Sequence, residues 1–96
     1  MAVTTANLST MSADTDTTLG VTGTKLVNMY VTNIHSGDVT FSIKLDTTKY
    51  LVKDISLPTG TTLQIVEGDG LWTTCANIRA RCNTQDGISV YFTYVS

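Results

Sequence analysis

The chain has 96 residues, 42% hydrophobic and 15% charged, enough for one ordinary core and too short for two domains. A formal net charge of -2 with six scattered Lys and Arg gives no basic footprint to offset phosphate repulsion, so nucleic acid is not an expected partner. There is no basic start followed by a long apolar run, and no stretch approaches a membrane span, so neither a secretion signal nor a membrane partner is expected.

Residues 1–18 are rich in Thr, Ser and Asp, with Val3, Leu8 and Met11 as scattered apolar positions. Three such residues bury too little to order the segment alone, which predicts an extended N-terminal arm held by neighbouring chains, with the domain boundary after residue 23. "DTDTT" at 14–18 lacks the longer ligand series and late Glu of an EF-hand and is read as solvated linker.

From residue 24 the pattern becomes period two. "KLVNMYVTNI" (25–34), "VTFSIKL" (39–45), "YLVKDISL" (50–57), "TTLQIVEG" (61–68), "ANIRARC" (76–82) and "ISVYFTYVS" (88–96) are strand candidates rich in Val, Ile, Thr and Tyr. Alternation assigns Val39, Phe41, Ile43, Leu63, Ile65, Ile88, Val90 and Phe92 to the core. The opposite row of the last strand, Ser89, Tyr91, Thr93 and Val95, is less polar than solvent requires. Turn residues in "HSGD", "LPTG", "EGDG" and "TQDG" predict hairpins, and Arg79 and Arg81 share an outer face. No window supports a helix of useful length. The expected fold is all-β: an antiparallel β-sandwich of jelly-roll or Ig-like type over residues 24–96, with the arm at 1–23.

Residues suited to chemistry are sparse. His35 is the one imidazole and lies beside Ser36 and Asp38 in a turn, where neighbouring side chains diverge rather than form a triad. Glu67 with Asp69, and Asp46 with Asp54, are acid pairs at turns, where Asp and Glu are ordinary turn residues. Cys75 and Cys82, seven apart with no C-x-x-C, are expected as reduced, structural thiols without metal. No enzyme, metal or cofactor is therefore expected. Trp72, just after a turn, could close the core or anchor a partner.

Four pieces carry a resemblance: "NMYVTNIHSGDVTFSIKL", "DISLPTGTTLQIVEG", "LWTTCANIRARC" and "ISVYFTYVS". In order and spacing they resemble a family of small virion structural proteins of tailed bacteriophages. That family runs from a strand ending in Asn and a turn, through an alternating strand and a v-LP-aGt-L segment, to L-x3-D-x-I-x-v and v-v-s-y strands. The resemblance covers residues 24–96 and departs at Ala76 and Asn77, where the family often has Gly-Asp. It implies a non-catalytic β-sandwich serving as a capsid decoration (cement) protein or a neck or tail component, assembled in a bacterial cytoplasm. Its partners would be other virion proteins and copies of itself. The residues expected at such contacts are Val3, Leu8 and Met11 of the arm, Trp72, and Tyr91 and Val95 of the last strand. The alternative from another class is a receptor- or carbohydrate-binding module of a phage fibre, with Trp72 and Tyr91 as stacking platforms. Nineteen Thr supply β-propensity without charge, which suits surfaces that pack against other subunits.

Overall fold

The computed structural model describes residues 3–96, so Met1 and Ala2 of the expected arm lie outside the described residues. Nine strands follow in chain order: β1 (Val3–Leu8), β2 (Thr17–Thr18), β3 (Lys25–Asn33), β4 (Val39–Lys44), β5 (Tyr50–Leu57), β6 (Thr62–Val66), β7 (Leu71–Trp72), β8 (Arg79–Cys82) and β9 (Ile88–Val95). One short 3₁₀ turn, Cys75–Asn77, precedes β8 and occupies the position where the sequence departs from the phage family. Two antiparallel sheets form a sandwich, as the period-two pattern predicts.

The first sheet has the order β1-β9-β3-β6 with β7 also on β3, and the second has β2-β8-β4-β5. β6 pairs with residues 29–32 of β3 and β7 with residues 25–26, so the two run end to end as one interrupted strand. Counted that way the sandwich has eight strands, and the chain keeps crossing between sheets, with the first strand beside the last. This is jelly-roll order, which decides between the two sandwich types expected.

The order corrects the hairpin reading of the turns. Only β4 and β5 are joined as a hairpin. "HSGD", "LPTG" and "TQDG" instead arch from one sheet to the other, because the strands they connect have different neighbours. "EGDG" is an excursion between β6 and β7 along one edge. In the "LPTG" arch, Thr61 N–H donates to Pro58 O at 3.2 Å, with Gly60 at φ 75°. Turn residues report where the chain reverses, and a reversal within a sheet uses the same residues as one between sheets.

Residues 3–23 are not an arm outside the sandwich. β1 pairs with β9 over six residues, Val3 opposite Val95 through Leu8 opposite Val90, and β2 pairs with β8. Between them Met11 is buried, its N–H donating to Asp86 Oδ1 at 2.8 Å and its carbonyl accepting from Asp86 N–H at 2.9 Å. Asp14 N–H donates to Cys82 O, Leu19 N–H to Ile78 O, and Leu19 is buried. The ordering entropy that three apolar residues could not offset is instead met by ladder hydrogen bonds and by a core that the rest of the chain already supplies.

The core holds Leu26, Met29, Val31, Val39, Phe41, Ile43, Ile78, Ala80, Ile88, Val90 and Phe92, together with Met11 and Leu19. Six of the eight core assignments from alternation are buried. The other two fail on β6: Leu63 is 37% exposed and Ile65 is half-buried. β6 is an edge strand, and its pairing shifts from Met29–Val66 to Tyr30–Gln64, which leaves Ile65 as an extra, bulged residue. Leu63 faces the core side at a margin with no further strand to cover it.

Candidate interaction surface

Register fixes which side chains share the outer face of the first sheet. On β9 the inward residues are Ile88, Val90 and Phe92, so Ser89, Tyr91, Thr93 and Val95 point the other way. Cross-strand pairing extends these into rows: Thr5–Thr93–Asn28, Asn7–Tyr91–Tyr30–Gln64, Ser89–Thr32–Thr62, and Val3–Val95–Lys25–Trp72. Lys25, in the last row, is the one charged residue among them.

This face is laced by cross-strand hydrogen bonds. Thr5 and Thr93 hydroxyls meet at 3.2 Å and Thr32 and Thr62 at 2.8 Å; the Asn7 amide donates to Ser89 Oγ at 2.7 Å and the Gln64 amide to Tyr30 Oη at 3.2 Å. With their polar groups paired in place, these side chains form a flat, uncharged platform. Tyr91, 51% exposed, lies at its centre directly opposite Tyr30.

The residues expected at contacts divide here. Val3 and Trp72 are 66% and 67% exposed at the two ends of one row, and the Lys25 ammonium sits 4.8 Å over the Trp72 ring. Trp72 thus does not close the core. Leu8 is half-buried against the core. Met11 and Val95 are buried within the chain itself, which corrects their assignment as contact residues. Val95 has the outward parity but is covered between Val3 and Lys25. Trp72 and Tyr91 stand in different rows on non-adjacent strands, so they are not one stacking platform; Tyr30 is the aromatic neighbour of Tyr91. Tyr30, Asn7 and Gln64 were missed in the sequence. Tyr30 had a signal, since it occupies the outward parity of "LVNMYVTN", but Asn7 lay in the supposed arm and Gln64 was assigned relative to an unbulged β6.

The second sheet presents a charged outer face. Arg79 and Arg81 point outward from β8, with Ala80 and Cys82 buried between and beyond them. Lys44 bonds Asp16 at 3.0 Å, and Arg81 approaches the same carboxylate at 3.7 Å. Lys44 and Lys53 flank the Tyr50 ring at 5.3 and 5.1 Å. The two faces of the sandwich therefore differ sharply in charge.

The acids and the imidazole have structural engagements. The Asp46 carboxylate accepts from Thr48 N–H at 2.8 Å and Lys49 N–H at 2.9 Å, and these backbone bonds hold its pKa below the ordinary aspartate range. His35 is exposed, its N–H donating to Asn33 Oδ1 at 2.7 Å and its carbonyl accepting from the Thr59 hydroxyl. Asn33, buried, also donates to Gly37 O at 2.9 Å and Leu57 O at 2.8 Å, tying the β3–β4 and β5–β6 arches together. Cys75 and Cys82 are free, buried thiols, and burial pushes both up from the usual thiol range. Among the described residues no three His, Cys, Asp or Glu side chains gather as a metal site. No family model, curated protein or solved structure matches the chain.

Proposed function

We propose that this chain is a structural subunit of a tailed-phage particle, a capsid decoration protein or a neck or tail component, and that it works by surface contact with other virion proteins and without catalysis. The observation that carries the reading is the outer face of the first sheet. An uncharged platform of Thr, Asn, Gln and Tyr, centred on Tyr91 and Tyr30 and ending at exposed Val3 and Trp72, matches what protein contacts select: aromatic anchors with little charge to desolvate. Pre-paired hydroxyls and amides lower the ordering cost of docking there. The resemblance of residues 24–96 to phage virion proteins supports the same reading, and jelly-roll order recurs in viral capsid domains, a fold-level analogy.

Mass spectrometry of purified particles made by the genome that encodes the chain tests the proposal. The chain is expected in repeated, stoichiometric copies, and Tyr91→Ala should lower its incorporation. Particles that are complete without the chain would refute it.

A second reading has its own observation. Tyr30 and Tyr91 side by side, flanked in one row by the Asn7 and Gln64 amides, combine ring faces with hydrogen-bonding groups, as a neutral glycan would require. Jelly-roll order also recurs in lectin domains. Under this reading Tyr91→Ala abolishes glycan binding and leaves incorporation intact.

A further inference from the structure

We propose that the free edge of β1 pairs antiparallel with β1 of a second copy of this chain, joining two first sheets into one continuous sheet across a two-fold axis. The inference does not depend on the particle reading. It starts from the four strand edges of the sandwich, β1 and β6 in the first sheet and β2 and β5 in the second.

An edge strand exposes unpaired N–H and C=O groups, and proteins that stay monomeric blunt such edges with bulges, charge, proline or short length. Three edges here are blunted. β2 has only two residues. β5 shifts register against β4 twice, carries Lys53 and Asp54, places Asp54 at φ 51° and runs into Pro58. β6 is broken by the Ile65 bulge, ends in the "EGDG" excursion, and has the Gln64 side chain donating to the Val66 carbonyl.

β1 has none of these devices. Its six residues, VTTANL, contain no charge, proline or glycine, and pair with β9 without a register shift. In such a strand every second residue turns its N–H and C=O away from β9.

The charge pattern selects a second copy as the occupant. In a two-fold pairing each side chain of β1 faces one from the same six residues, so any charge would meet its like. β1 contains none, whereas self-pairing of β5 would bring its own lysine and aspartate groups together across the axis. An antiparallel pair of identical edges closes on itself as a dimer and leaves no further edge of that kind. The half-buried Ala6 and Leu8 on the inner side would also gain cover from the partner strand.

Sedimentation of the full chain over a concentration series, beside Thr5→Lys on β1 and Thr62→Lys on β6, tests the inference. The wild-type chain and Thr62→Lys are expected as dimers, and Thr5→Lys as a monomer with an unchanged circular dichroism spectrum. Hydrogen exchange on the wild-type chain gives a readout that needs no variant: β1 amides should be protected at high concentration and lose protection on dilution. A wild-type chain monomeric at every soluble concentration would overturn the inference. So would a dimer that Thr62→Lys breaks and Thr5→Lys does not, or β1 protection that ignores dilution.

Discussion

Truncating Met11 to Ala separates an integral N-terminal segment from an arm that needs a neighbour. Met11 is 4% exposed, belongs to the core, and is fixed through both its N–H and its carbonyl to Asp86 in the turn before β9. Those backbone bonds survive the substitution, so the loss is the buried side chain and the cavity it leaves, about 2 to 5 kcal/mol. At about 0.05 to 0.15 kcal/mol per residue, a chain of this length has about 5 to 14 kcal/mol in total. The variant should therefore lose a large share of its stability. Urea unfolding followed by circular dichroism reads this as a lower midpoint with an unchanged slope, since the surface exposed on unfolding barely changes. A segment lying outside the domain would show at most about 0.5 kcal/mol, the usual range for surface substitutions. Deleting residues 1–18 should go further: it removes β1, β2 and Met11 and uncovers the flanks of β9 and β8, so the remainder should show no cooperative transition. A deletion that melts like the full chain, or a Met11→Ala midpoint equal to wild type, would refute the assignment of this segment to the sandwich.

Phe41→Ala, at a side chain fully buried on β4 between Ile55 and Cys82 of the adjacent strands, should cost about 3 to 5 kcal/mol in the same urea assay. Asn33→Ala removes the donor to the Gly37 and Leu57 carbonyls and the acceptor for His35 N–H, and should cost about 2 to 4 kcal/mol, with faster exchange of the His35 amide. Gly70→Ala should cost about 1 to 3 kcal/mol in thermal melts, because the residue sits at φ 78° and its new Cβ would lie 2.4 Å from the Leu26 carbonyl. Gly60→Ala, also at positive φ but with open space around it, should cost less than Gly70→Ala, and equal costs would show that the Leu26 contact is not tight.

Strand identity was legible wherever a segment is half-buried and regular. "VTFSIKL" alternates because one face of β4 meets the core and the other does not, and Phe41 and Ile43 are buried as that pattern requires. The pattern failed where the sheet ends. Leu63 and Ile65 belong to a bulged edge, and a bulge adds a residue without any mark in the local composition. β1 was illegible for a related reason: as an edge strand it buries little of its own surface, so "VTTANL" reads as polar linker although six residues of ladder hold it to β9. Which reversals stay within a sheet was also hidden, since "LPTG" serves an arch as readily as a hairpin. Of the interaction surface, Tyr91, Val3 and Trp72 were legible as apolar residues on outward or unburied positions. The rows joining Tyr91 to Tyr30, Asn7 and Gln64 depend on pairing between strands distant in the chain, which alternation within each strand does not specify.

Cryo-electron microscopy of the particle made by the encoding genome tests the central claim most directly. The account predicts repeated density for this sandwich with the outer face of its first sheet, around Tyr91 and Tyr30, packed against a neighbouring virion subunit. A particle lacking that density, or one in which the face is turned to open solvent in every copy, would contradict it.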